Sequence, residues 1–305
     1  MPGNGPVAFQ APKRSFIQET FAMSGEEANW KWFNWAWDNR KELRRYLNQL
    51  YRWFRGESKG NRPSTRGILI LGAGGVGKTT LARLLAGQYH QLAQTLGKFE
   101  EDLAIEKYAL SDHPEIEIVV PPGQHHRRDA SWSDLLRRVA SGEFRGVVLL
   151  SAYGYHSIGE RSYKTLPQYH GKKEEFLEQY FDDKRHDEFK IISDLVPRLK
   201  ENSAKLWLVS LIAKEDLWHR KHLAVEQHYR AGAYATEIQK ISKRKEPRLF
   251  RHEYVFASLV ISNFTTGKGE RLQPNAEGYD QALQLESLGR VLGTFHSLLH
   301  WEAEP

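Results

Sequence analysis

The chain has 305 residues, nine tryptophans, no cysteine and a net charge of +6. That length can bury a sizeable core, and the lack of cysteine excludes disulfides and thiolate metal sites. No apolar run reaches membrane-spanning length, and the start lacks a charged-then-apolar leader, which predicts a soluble, cytoplasmic protein.

In chain order, residues 1–23 are rich in Gly, Pro and Ala and predict a flexible N-terminus. Ser24-Gly25-Glu26-Glu27 reads as a capping box. Beyond it Phe33, Trp37, Leu43, Leu47, Leu50 and Phe54 recur at helical spacing. An aromatic, amphipathic helix and its polar linker therefore fill 24–62, ahead of one domain over 63–305. Trp30, Trp32 and Trp35 cannot all share the face of Trp37, so this helix is a candidate partner surface. Nucleic acid or an anionic membrane would also suit its aromatics and arginines, and the spacing selects neither.

The apolar run Gly67-Ile68-Leu69-Ile70-Leu71 predicts a strand, and a helix follows from Thr80. Between them Gly72-Ala73-Gly74-Gly75-Val76-Gly77-Lys78-Thr79 satisfies G-x-x-x-x-G-K-[ST]. Glycines let backbone N–H groups turn inward around phosphates, Lys78 reaches β/γ oxygens, and the Thr79 hydroxyl ligates Mg²⁺. The first helical turn, at Thr80, adds unpaired N–H groups and a positive dipole end. The lysine, the threonine and the strand-loop-helix context together predict nucleoside triphosphate binding, the alternative being a plain glycine-rich turn between a strand and a helix.

Further strands are expected at 103–110, 115–120, 146–150, 206–212 and 254–261. Helices are expected at 130–141, at 172–202 with a break or kink near Pro197, at 217–241 and at 279–300. Alternating strands and helices predict an α/β sandwich of three layers around a mostly parallel sheet, with its chemistry at the strands' carboxyl ends.

The residues at those ends resemble the Ras-like GTPases. The phosphate loop is similar to theirs, and Ala213-Lys214-Glu215-Asp216 is similar to their guanine-reading Asn-Lys-x-Asp, with Ala213 in place of the Asn. The resemblance implies a Ras-like G domain in which Asp216 accepts from guanine N1 and the exocyclic amine while Lys214 packs along the base. Ser262-Asn263-Phe264 would then be the support motif, Ser262 bracing Asp216 and a backbone N–H meeting guanine O6. Val120-Pro121-Pro122-Gly123-Gln124 stands where the family has Asp-x-x-Gly-Gln. Gly123, with the 124–130 loop, would sense the γ-phosphate, and Gln124 would orient the attacking water. Val120 replaces the acid that helps hold Mg²⁺, and two prolines remove backbone donors; on loop chemistry alone the segment also reads as a rigid turn. His125 and His126 follow, and an imidazole there could meet phosphate or simply be exposed. Thr95 is a poor match for the family's switch threonine.

The implied activity is that of a GTP- and GDP-binding switch with Mg²⁺ and slow hydrolysis, regulating a protein partner through the switch loops or the N-terminal helix. Two other readings stand beside it. The phosphate loop is also similar to that of STAND or NB-ARC signalling ATPases, although Ser151-Ala152-Tyr153, ending the 146–150 run, lacks their paired acids. A nucleotide-stabilised interaction module without turnover is the other.

Overall fold

The structure, a computed structural model, describes residues 67–88, 104–111, 113–159 and 162–303, the side chains of 125–131 excepted. The expected flexible N-terminus, the aromatic helix and linker of 24–62, and Thr95 lie outside these residues.

Six strands form the main sheet: β1 (Gly67–Gly72), β2 (Glu106–Leu110), β3 (His113–Val120), β4 (Phe144–Ser151), β5 (Leu206–Ile212) and β6 (Phe250–Phe256). Their order is β2-β3-β1-β4-β5-β6; β2 runs antiparallel to β3 and every other pairing is parallel. All residues of β4 and β5 are buried, as a parallel strand covered on both faces requires.

The long helices are α1 (Lys78–Leu85), α2 (His125–Ala140), α3 (Lys173–Glu201), α5 (His222–Arg230), α6 (Ala233–Ser242) and α7 (Gln281–Ala303), with a short α4 (Glu215–Trp218) after β5. Two side chains of β5 show how they layer. Trp207 meets Phe295 of α7 edge-on with ring centroids 5.7 Å apart, whereas the Ser210 hydroxyl lies 3.1 Å from that of Tyr234 on α6. Residues three apart on a strand point to opposite faces, so α6 and α7 cover opposite sides of the sheet. A buried ion pair, Arg145 Nε to Glu302 Oε2 at 2.6 Å, ties β4 to the end of α7. The three-layer α/β architecture expected from the sequence is therefore present. Among the described residues no helix is long and apolar enough to cross a membrane.

Several expected boundaries move. The helix expected at 130–141 begins directly after Gln124, so 125–130 is the start of α2 and not a loop. The helix over 172–202 forms as α3 and runs through Pro197 without interruption. The single helix expected over 217–241 is divided into α4, a tight turn at His219–Lys221, α5 and α6. Gly232 separates the last two with an extended backbone (φ −84°, ψ −164°). The last strand is Phe250–Phe256, not 254–261, because it ends level with β5, pairing Phe256 with Ile212. A small hairpin, β7 (Phe264–Thr265) with β8 (Arg271–Gln273), follows unannounced by the sequence.

Gly146 of β4 pairs with Trp207, and a Cβ at Gly146 would overlap the indole ring. Gly146→Ala should therefore destabilise the domain by about 1–3 kcal/mol through overpacking. Urea denaturation should show a lower midpoint with an unchanged slope.

Candidate functional site

Strand β1 delivers its carboxyl end into the phosphate loop, and α1 begins immediately after it. Gly75 and Gly77 hold positive φ, +73° and +103°, which the inward turn of the loop requires and a side chain would oppose. Gly77 is the N-cap of α1. Ala73 and Val76 are buried and anchor the loop to the core. Lys78 is 3 % exposed, and its Nζ donates to the Ala73 carbonyl at 3.2 Å, so the ammonium lies inside the curve of the loop. Gly72 and Gly74 complete the backbone, and Thr80 sits half-buried in the first turn of α1.

The end of β3 closes against this loop. A Cβ on Gly123 would run into Lys78 Nζ and would lie 2.6 Å from the Ala73 carbonyl, so only glycine fits there. The Gln124 side chain lies 3.5 Å from where a Gly74 Cβ would stand. Its Oε1 is buried and has no hydrogen-bond partner among the described residues. Pro122 is fixed from behind, its carbonyl accepting from Trp132 Nε1 of α2 at 2.9 Å. The resemblance and the structure thus agree on bringing Gly123 and Gln124 to the phosphate loop.

Thr79, the expected Mg²⁺ ligand, donates its hydroxyl to Glu106 Oε2 at 2.9 Å. The same oxygen accepts from the Tyr108 hydroxyl at 3.0 Å. Burial, reinforced by Glu106, pushes the Tyr108 phenol up to about 12, so it remains a donor at neutral pH. Glu106 escaped the sequence reading. It opens β2, far in sequence from the phosphate loop, and only the β2–β3 register brings it opposite Val120.

At the end of β5, Lys214 adopts a left-handed backbone (φ +60°) and its Nζ donates to the Tyr155 carbonyl at 2.5 Å. Burial lowers its pKa to about 8. Asp216 is fully buried, and burial raises its pKa to about 6. Oδ1 accepts from the Ser258 hydroxyl at 2.7 Å, and Oδ2 accepts from the Ser262 backbone N–H at 2.9 Å.

The serine whose hydroxyl braces Asp216 is therefore Ser258, two residues beyond β6, and not Ser262. Ser262 contributes its N–H instead. Asn263 Oδ1 accepts from Asn275 N at 3.2 Å, and Phe264 is buried in β7 among Tyr155, Tyr180 and Phe181. The misplacement has a single cause: the strand was extended to 261, which carried the expected support motif four residues too far.

The segment after β4 supplies further contacts that no motif announced. Ser157 Oγ donates to the Gly75 carbonyl at 3.2 Å. Glu188 of α3 fixes this segment from beneath, accepting from Ala152 N at 2.8 Å and contacting His156 Nε2 at 2.8 Å with Oε1, while Oε2 accepts from the Tyr229 hydroxyl at 2.5 Å. Burial pushes the Glu188 carboxyl up, but these partners outweigh it and hold its pKa below the usual range. Burial lowers the pKa of His156.

No family model matches the chain, and no curated protein matches it in sequence. Solved structures similar to it include the mammalian signal recognition particle receptor (12 % identity, TM-score 0.37, covering 75 % of this chain and 99 % of that one). The signal recognition particle receptor SRb-GDP of Chaetomium thermophilum is similar at 12 % identity, TM-score 0.36, over 78 % of this chain and 99 % of that one. A bacterial selenocysteine-specific elongation factor, EF-Sec, is similar at 13 % identity, TM-score 0.31, over 64 % of this chain and 25 % of that one. These likenesses are too distant to argue from. The described residues form an α/β fold around a six-stranded, mostly parallel sheet, with the phosphate-loop motif after β1, Gly123-Gln124 after β3, Lys214-x-Asp216 after β5 and a bracing serine after β6.

Proposed function

We propose that this protein binds GTP and GDP, hydrolyses GTP slowly, and acts as a switch on a protein partner. The observation that carries the proposal is Gly123 and Gln124 set against a phosphate loop whose lysine is already turned inward. In this reading the loop N–H groups and Lys78 bind the β- and γ-phosphates, and Gly123 N–H contacts the γ-phosphate. Gln124 Oε1, a buried acceptor lacking a partner among the described residues, orients the attacking water. Thr79 fits Mg²⁺ as a neutral oxygen ligand, and the ion when bound neutralises charge on the β/γ oxygens.

Guanine recognition by Asp216 requires an exchange. Ser262 N–H occupies Oδ2, where one donor of the base edge would bind, and the base replaces it while Ser258 stays on Oδ1. Hydrogen bonds traded one for one cost little, whereas a mismatched base would leave a buried carboxylate unpaired. The signalling-ATPase reading has less support, because β4 ends at Ser151 without an acid of its own. A binding panel of GTP, GDP, ATP and ADP, with and without Mg²⁺, tests the proposal; preference for ATP would overturn it.

Four outcomes follow. Lys78→Ala should weaken triphosphate binding by at least about 100-fold, since it removes a charge-assisted contact, with the far-ultraviolet circular dichroism unchanged. Asp216→Asn should weaken GTP by about 10- to 100-fold and shift preference toward xanthosine nucleotides. The parent's pH profile should carry the same signature. Asp216 must lose its proton, held with a pKa of about 6, before it can accept from the base. GDP affinity should be flat above that pH and fall below it, and the fall should vanish in Asp216→Asn. Gln124→Leu should lower single-turnover GTP hydrolysis by about tenfold or more while leaving GTP affinity within about twofold, as expected of a group that acts only in the transition state.

A further inference from the structure

Val120 stands where the family's acid would help hold the cation, yet β3 is not the only strand that reaches the site. β2 runs antiparallel beside it, and the register pairs Glu106 directly with Val120. Directly paired residues of an antiparallel ladder project to the same face with Cβ atoms about 4.5–5.5 Å apart. A carboxylate at 106 therefore serves the same face as an acid at 120 would, one strand further out and on a longer side chain. The side-chain contacts agree. Glu106 Oε2 receives the hydroxyl of Thr79, the phosphate-loop residue whose oxygen type suits Mg²⁺. Tyr108 donates to the same oxygen, so both hydrogen bonds converge on Oε2. Oε1 accepts none among the described residues.

We propose that Glu106 is the carboxylate of the Mg²⁺ site, moved across the β2–β3 ladder from position 120. The inference rests on the triphosphate-binding reading and names the charge that reading lacks. Magnesium favours one or two carboxylates together with phosphate oxygens and retained water, and dehydrates reluctantly. Thr79, Glu106 and the β/γ oxygens make up such a set. Tyr108 holds the same carboxylate oxygen with its hydroxyl and so fixes the orientation of the group. The arrangement needs no acid from the Pro121-Pro122 loop, which leaves Val120 to the core, where it is buried.

The test separates cation from nucleotide. Affinity for a fluorescent GTP analogue is measured in EDTA, and Mn²⁺ affinity of the analogue-loaded protein is titrated by electron paramagnetic resonance, for the parent, Glu106→Gln, Tyr108→Phe and the double variant Glu106→Gln/Val120→Asp. Glu106→Gln should weaken Mn²⁺ by about 10- to 100-fold, the range for losing an oriented partner of a metal site. In EDTA it should bind the analogue as tightly as the parent or more so, because it removes a negative charge beside the phosphates. Tyr108→Phe deletes a hydrogen bond but no charge, and should stay within about threefold of the parent for Mn²⁺. The double variant should recover Mn²⁺ affinity, since Val120→Asp returns an acid to the paired position. Thermal melting checks that each variant is folded, and Tyr108→Phe keeps the comparison interpretable if the double variant is not.

A Mn²⁺ affinity for Glu106→Gln within about threefold of the parent would overturn the assignment. So would equal losses of Mn²⁺ affinity in Glu106→Gln and Tyr108→Phe, which would mark a merely structural cluster. A parent that binds no nucleotide, with or without metal, would overturn the triphosphate reading and this inference together. A parent that binds nucleotide while Glu106→Gln leaves Mn²⁺ unaffected removes this inference alone.

Discussion

Parallel pairing of β3, β1, β4, β5 and β6 is the constraint on which the rest of the molecule depends. It sends five strand ends to one edge of the sheet, and with both faces buried beneath helices that edge is where loops of different sequence can meet. The phosphate loop, Gly123-Gln124, the Tyr155 turn, Lys214-Asp216 and Ser258 are consecutive in space for this reason alone. Burial on both faces also fixes register, because a slip of one residue would exchange the side chains directed at α6 and at α7. Trp207 and Ser210 differ in size and polarity enough to make such a slip costly.

Within that edge, polar contacts do the positioning. Glu188 is enclosed among His156, Tyr229 and the amides of Ala152 and Gly154, a satisfied buried network of the kind that specifies one arrangement. Its effect lies in the turn above it, which presents the Tyr155 carbonyl to Lys214 and Ser157 to Gly75. A carboxylate midway along α3 thus braces contacts to both Gly75 and Lys214. Removing it would leave a buried imidazole and phenol without their acceptor.

The sheet and the phosphate loop were legible in the sequence because each rests on local rules. A seven-residue apolar run such as Leu206–Ile212 has the length of a buried strand rather than a helix, and the phosphate-loop motif is contiguous in sequence. Gly123 and Gln124 were reached only through the resemblance to the family's Asp-x-x-Gly-Gln, since their loop chemistry alone also fits a rigid turn. What could not be read depends on pairing between distant segments. Glu106 gains its place from a register that no single strand encodes. Ser258 was missed because Val260 and Ile261 continue an apolar run that periodicity assigns to β6, whereas the chain turns out after Phe256 to close on Asp216. The division of 217–241 turned on one residue, Gly232, whose extended backbone no helical pattern anticipates.

The paired prolines ahead of Gly123 have a mechanical consequence. Pro121 and Pro122 fix their own φ angles and confine the residue before each, so the link from β3 to Gly123 has few torsions to spend. Trp132 grips the Pro122 carbonyl, and α2 starts immediately beyond Gln124. A displacement of Gly123 therefore cannot dissipate as loop rearrangement. It has to be taken up as a rigid tilt of α2, which makes this stretch a crank that couples any movement of Gly123 to a whole helix.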